Sequence, residues 1–275
     1  TKASESSEII IKAGRLTSVS FNISSCSRFS NRFLSSARNV GMDAARGKYV
    51  IFPDPDDWVE LGYVSQMVEL QNYYQTDLLC VGYYVDTDEK CVPANEGQKP
   101  NCMDRVTAQQ ALLIPPKMGG FAWNKLYHLD IIREHKLRFL DDVGTTEDLE
   151  FAFHYLKYCD TVCFVPSTRL YHYYQRSGAA THSEFSIKKM ETIRTYEKII
   201  ESSENDKLVQ AAKEEICNTA INLIWQYQNS NLQDKAALKK LQRYARCYLK
   251  DYLKSAQYGK GRKQQAIMAC YMPAV

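Results

Sequence analysis

The feature that most constrains this chain is a short apolar run, Tyr49-Val50-Ile51-Phe52, that ends in Pro53-Asp54-Pro55-Asp56-Asp57. Consecutive large apolar residues ahead of a proline read as a strand buried on both faces, and Pro and Asp then impose a polar turn at its carboxyl end. Apolar spacing from Phe33 to Ala45 predicts a helix just upstream, so helix, strand and acidic turn follow in the order of an α/β layer. Ligands of open α/β sheets bind beyond the carboxyl ends of the strands. Three carboxylates placed there either coordinate a hard divalent cation or stay solvated, because close negative charges repel. A Mg2+ or Mn2+ ion bridging two phosphates suits a nucleoside-diphosphate leaving group. A solvated Asp-Pro turn is the plain alternative.

The α/β pattern continues. A helix is expected over about 60 to 75, with Val64, Met67 and Leu70 at helical spacing, then an apolar strand over 78 to 85. Residues 87 to 105 read as a loop or hairpin, and Thr107 is the expected cap of a helix from Ala108 to Leu113 that Pro115-Pro116 ends. Thr145 or Thr146 would cap a further helix whose first turn holds Glu147 and Asp148, where the helix dipole favours acids. Two strands, 161 to 165 and 169 to 174, close the region. Residues 1 to 30 are Ser-rich, with Ile9-Ile10-Ile11 as their one apolar run. From about 186 the pattern is helical, with long periodic stretches over 206 to 228 and 235 to 256. The expected division is an α/β domain over 1–180 and a helical region over 181–275.

Charge and cysteine usage limit the partners. The net charge of +3, from 35 basic and 32 acidic residues, is too small to make the whole molecule a polyanion binder. Its one basic concentration runs from Lys235 to Lys263, beside Leu238, Leu241, Tyr244, Tyr248, Tyr252 and Leu253. That cationic amphipathic tail is either a solvated helix face or a peripheral attachment to an anionic membrane, worth about 1 kcal/mol per Lys or Arg near the lipid. Nucleic acid is not an expected partner, since no binding motif accompanies the charge. The nine cysteines include no CxxC pair, which points to free thiols in a reducing cytosol. The longest apolar runs fall well short of the ~20 residues that span a bilayer, and the polar start Thr1-Lys2-Ala3-Ser4-Glu5 shows no signal peptide. The expected location is cytoplasmic, with the inner face of the membrane as the attachment surface.

Several segments taken together resemble a known family. Ala37-Arg38-Asn39-Val40-Gly41, Ala45-Arg46-Gly47 and the strand ending in Asp54-Pro55-Asp56-Asp57 are similar to the core of the family-2 glycosyltransferases. Trp123-Asn124-Lys125-Leu126-Tyr127, then Phe139 with Glu147-Asp148-Leu149 and Phe151, and finally Tyr171-His172-Tyr173 with Arg176 and Ser177 continue the likeness in the same order, over about residues 36 to 180. The resemblance implies a GT-A-like, Rossmann-like α/β fold, a mixed sheet flanked by helices, followed here by an all-helical C-terminal extension. It also implies transfer of a sugar from a nucleotide donor, expected to be a UDP-sugar, to a saccharide or lipid-linked acceptor with inversion, in surface polysaccharide or glycolipid synthesis. Mn2+ or Mg2+ is the implied cofactor.

By the same resemblance Asp56 is the metal ligand, and Asp54 and Asp57 contact ribose, metal-bound water or donor sugar. Inversion needs one base to take the acceptor proton. The resemblance gives that role to Asp148, with Glu147 beside it in acceptor or helix-end contacts; adjacent helix residues point in different directions, so both do not serve one proton. Arg38 and Asn39 approach the nucleotide or pin their helix to the sheet. Trp123, Asn124 and Lys125 offer a flat ring for a sugar and donors for hydroxyls or phosphate, with a core role for Trp123 as the alternative. His172 and Arg176 face the diphosphate, since Arg can fork two phosphate oxygens, unless His172 is structural.

The front of the chain departs from the family. It has no strand ending in Pro-Val-Tyr-Asn and no Asp-Asp-Gly-Ser, the segments that cradle the nucleotide base, and only Ile9 to Ile11 is comparable. The expectation is a fragment or a sheet rebuilt another way, with a catalytically silent scaffold as the rival function. A strand-borne Asp-x-Asp also occurs in haloacid-dehalogenase-type phosphatases, but Trp58 stands where those carry Thr or Val.

Overall fold

The computed structural model of the chain describes residues 7–13, 15–21, 32–114, 117–140, 146–175, 185–230 and 234–273. Arg176, Ser177, Pro115-Pro116, Thr145 and the Ser-rich stretch 23–30 lie outside the described residues. The chain divides into two compact units, Thr1–Asp142 with Glu147–Ser177, and Val143–Thr146 with Gly178–Val275.

The first unit begins with a hairpin of β1 (Ser7–Ala13) and β2 (Arg15–Phe21), followed by α1 (Arg32–Ala44), β3 (Tyr49–Val50) and β4 (Trp58–Val59). Next come α2 (Tyr63–Tyr74), β5 (Leu78–Asp86), β6 (Cys91–Pro93), β7 (Asn101–Asp104) and α3 (Arg105–Leu113). β8 (Lys125–His128), α4 (Leu129–Glu134), α5 (Glu147–Leu156) and β9 (Thr161–Tyr174) complete it. The sheet runs β2-β1-β3-β8-β5-β9-β4, with β6 on β5 and β7 on β9. It is mixed, because β5 and β9 pair in parallel while the other pairs are antiparallel. β5 is apolar from Leu78 to Val81 and fully buried there, as a central strand covered on both faces must be.

One expectation is resolved and three change. The Ile9–Ile11 run does form a strand, but it pairs antiparallel to β3 with Ile11 opposite Val50, so a hairpin extends the sheet on that side. The two strands expected at 161–165 and 169–174 are one, β9, whose register against β5 jumps from Val81–Val165 to Gly82–Arg169. Residues 166–168 bulge out there, a position that tolerates Pro166. A Cβ on Gly82 would stand 2.2 Å from the Pro166 carbonyl oxygen, so only glycine fits the bulge. Asp104, not Thr107, caps α3: its side chain accepts the Thr107 amide at 2.8 Å. Finally, Cys102 and Cys163 lie opposite each other across β7 and β9, 4.0 Å apart at Cα, and are joined as a disulfide, so the cysteines are not all free thiols.

The second unit is helical: a short 3-10 turn (Ile187–Met190), then α6 (Glu191–Ser202), α7 (Asp206–Gln228), α8 (Lys235–Lys254) and α9 (Lys260–Tyr271). Asn205 and Asp234 cap α7 and α8, each accepting two amides of the first turn. The apolar side of α8 is occupied: Leu238, Leu241, Ala245 and Tyr252 are buried in the packing of this unit. The expected insertion of that stripe into a membrane is therefore corrected, and only the exposed Lys and Arg face remains for an anionic surface. Among the described residues no helix is long and apolar enough to cross a membrane.

Candidate active site

The acidic corner leaves the sheet immediately after β3. Ile51 and Phe52 are buried, Pro53 ends the run, and the Asp57 amide closes a turn on the Asp54 carbonyl. β4 then pairs with β9, Trp58 opposite His172 and Val59 opposite Tyr171. Tyr171, fully buried, fixes the turn through one hydroxyl: it accepts the Asp54 amide at 3.0 Å and donates to Asp57 Oδ2 at 2.6 Å. The Tyr174 amide donates to Asp57 Oδ1 at 2.9 Å. Asp56 remains exposed between two anchored neighbours.

Arg38 on α1 joins this corner to a second acidic element. It is buried, with Nη2 2.7 Å from Asp54 Oδ1, Nη1 hydrogen-bonded to Asp148 Oδ1 and 3.9 Å from Glu147 Oε1. Asp148 sits in the first turn of α5, and its Oδ2 accepts the Ala122 amide at 3.0 Å. That contact needs α5 close to the 119–122 segment, and Gly120 permits it: a Cβ there would lie 2.8 to 3.1 Å from Leu149. The guanidinium is held firmly in its charged form by Asp148, Asp54 and Glu147 despite its burial. Burial pushes the Asp54 carboxyl up to about 7, with Asp148, Asp57 and Asp56 raising it further and Arg38 opposing.

Among the described residues the local charge balance is thus negative, five carboxylates (Asp54, Asp56, Asp57, Glu147 and Asp148) against the Arg38 guanidinium. This is an oxygen-only donor set of the kind hard cations such as Mg2+ and Mn2+ take, and a cation would offset the repulsion that adds to burial in raising Asp54. The residues fit a divalent metal.

The other expected site residues fall elsewhere in the first unit. Asn39 grips the backbone of Phe139, accepting its amide and donating to its carbonyl, which fixes α1. Trp123 is 2% exposed and stacked on Tyr171 at 4.4 Å and 8°, so its faces are covered. Asn124 donates to the Val81 carbonyl, and the buried Lys125 ammonium bonds Gly119 O, Phe121 O and Asn124 Oδ1, its pKa lowered by burial. His172 is buried against Asp86 and Glu60, on the side of β9 opposite Tyr171. Tyr171, Tyr174 and Gly120 were not among the expected site residues. The alternation of Tyr171 and Tyr173 about His172 is the signal that would have marked Tyr171 as facing the turn.

A mixed sheet with an acidic turn at a strand end, facing a helix that carries the second acid, is the arrangement of a GT-A-type glycosyltransferase domain. Residues 16–135 match the family model described as glycosyl transferase family 2. The glycosyltransferase EpsH of Bacillus subtilis (strain 168) is 33% identical over 147 residues, 52% of this chain and 42% of EpsH. The glycosyltransferase GlyA of Streptococcus pneumoniae serotype 4 is 31% identical over 122 residues, 42% of this chain and 17% of GlyA. The crystal structure of S. aureus TarS superposes at a TM-score of 0.54 with 12% identity, over 86% of this chain and 40% of TarS, a likeness of fold. Over residues 16–135 the first unit is thus similar to glycosyltransferase family 2. The matches span less than half the length of these curated relatives.

Proposed function

We propose that the first unit transfers a sugar from a nucleotide-sugar donor to an acceptor hydroxyl with inversion, in polysaccharide synthesis. What carries this reading is the Arg38 bridge: one buried guanidinium ties the Asp54 corner to the Asp148 carboxylate. A donor-side group and an acceptor-side base must be set against each other for a single displacement, and the bridge supports that reading.

Asp148 is the general base. Its Oδ1 is held by Arg38 and its Oδ2 by the Ala122 amide, two hydrogen bonds that fix the orientation of the carboxylate, and its side chain keeps 20% exposure for an acceptor to approach. The acceptor proton passes to this carboxylate as the hydroxyl oxygen attacks the anomeric carbon, and the nucleoside diphosphate departs from the opposite face. Asp56 would hold the cation, with Asp54 and Asp57 beside it; Mn2+ or Mg2+ bound there supplies positive charge for the leaving diphosphate. Tyr171 keeps the turn rigid so that Asp56 is presented without reorganisation. Trp123 supports the site through its stacking on Tyr171, and Asn124 and Lys125 fix the backbone of its segment. The exposed Lys and Arg face of α8 draws the enzyme by charge alone to an anionic membrane carrying a lipid-linked acceptor.

Asp148→Asn tests the assignment. It should lower transfer by about 100-fold or more while nucleotide binding stays at the wild-type level. Transfer at the wild-type rate would remove Asp148 from the mechanism.

A further inference from the structure

A second cluster of polar side chains lies outside the acidic corner, and the proposed sugar transfer makes no use of it. Asp86 ends β5 and Cys91 begins β6, and the two are register partners across the hairpin. His172 on β9 stands opposite Tyr84 of β5 and Trp58 of β4. The strand order therefore gathers one carboxylate, one thiol and one imidazole at a single point. His172 Nδ1 is 2.9 Å from Asp86 Oδ2 and 4.0 Å from Cys91 Sγ, and one donor atom from each of the three residues lies within 4.8 Å of the others.

Three observations go beyond proximity. The imidazole is clamped in place, with Trp58 stacked at 3.5 Å on it and Tyr84 at 4.8 Å. Its other nitrogen, Nε2, is 3.2 Å from Glu60 Oε1. A metal-bound histidine usually gives its second N–H to a carboxylate in this manner, which fixes the tautomer that leaves the first nitrogen free to ligate. In addition, Asp86 Oδ2 takes the Trp58 Nε1 hydrogen at 3.1 Å, while Oδ1 is buried without a hydrogen-bond partner. A buried carboxylate oxygen left unpaired is costly unless something positive meets it.

We propose that Asp86, Cys91 and His172 bind a zinc ion, with Glu60 as the acceptor that orients the imidazole. One sulfur, one nitrogen and one oxygen donor make a borderline-soft set that suits Zn2+ and is foreign to Mg2+ or Mn2+. Tetrahedral zinc sets sulfur and nitrogen ligands roughly 3.5 Å apart, so the 4.0 Å separation closes with a small rotation of the exposed Cys91 side chain. Cys91 binds as the thiolate and its proton leaves to solvent; water completes the coordination. The ion would tie β9 to the β5–β6 hairpin, next to β4, the strand that follows directly on the acidic corner.

The experiment uses the full chain, free of any affinity tag and stripped with chelator, with the Cys102–Cys163 disulfide intact. Co2+ is titrated as a spectroscopic stand-in and then displaced with Zn2+. The expected result is visible bands of tetrahedral Co2+ together with a thiolate-to-cobalt charge-transfer band, both removed by Zn2+. Cys91→Ser, a change at an exposed position, should abolish the charge-transfer band and weaken Zn2+ binding at least about 10-fold, with an unchanged circular dichroism spectrum. Glu60→Gln should weaken Zn2+ about 10-fold and keep the band. Absence of the band in the wild-type protein, or its persistence in Cys91→Ser, overturns the site and leaves a hydrogen-bonded strand clamp. Neither result depends on whether the acidic corner binds nucleotide.

Discussion

Arg38 carries more of the site than any other described side chain, because its guanidinium is set among Asp54, Asp148 and Glu147. Two expectations belong to its neighbours. Asp56 is exposed in a turn anchored by Asp54 and Asp57, so Asp56→Ala should eliminate metal-dependent nucleotide binding while changing stability by no more than about 0.5 kcal/mol, read by isothermal calorimetry and urea unfolding. Asp54 has a raised carboxyl, so between the unfolded value near 4 and about 7 the folded chain holds a proton that the unfolded chain has lost. Stability of the metal-free protein should then fall as pH rises through that window, and Asp54→Asn should flatten the slope; an unchanged slope would remove Asp54 as its source. The acidic corner was legible because its residues are adjacent in sequence and follow an apolar run. The Arg38–Asp148 pairing was not, since nothing local in either helix specifies a partner 110 positions away. The sequence left Trp123 open between sugar platform and core, and tertiary stacking on Tyr171 puts it in the core.

At the scale of elements, β9 shows what periodicity misses. The apolar pattern reads as two strands, 161–165 and 169–174, yet the chain bulges at 166–168 and resumes pairing with β5. Gly82 makes this possible, and Gly82→Ala, whose Cβ would meet Pro166 O at 2.2 Å, should destabilise the fold by about 1–3 kcal/mol in denaturant unfolding. An unchanged midpoint would show that the bulge does not need the glycine. The strong helical periods were read nearly to the residue, α7 as 206 to 228 and α8 within two residues of its end. Caps were less legible: Thr107 was an acceptable cap by type, but Asp104 ends β7 in extended backbone and so reaches the first-turn amide.

For the whole molecule, the charge on α8 and its apolar side have separate fates. Leu238, Leu241 and Tyr252 are buried, whereas Lys235, Lys239, Lys240 and Arg243 are exposed. Association with anionic vesicles should therefore be lost at high salt, and changing those four cations to Gln should abolish it without unfolding the bundle. Binding that persists in high salt would mean apolar insertion instead. The amphipathic pattern was visible in the sequence, but a pattern names only which face is apolar, and the packing of the second unit determines what covers it.

The central claim is that the Asp54–Asp57 corner holds a divalent cation against a nucleoside diphosphate. Calorimetric titration of the wild-type chain with UDP, in the presence and absence of Mn2+, tests it most directly. The account predicts saturable heat with Mn2+ that vanishes when the metal is chelated. Heat of equal size without metal, or none in either condition, would contradict it.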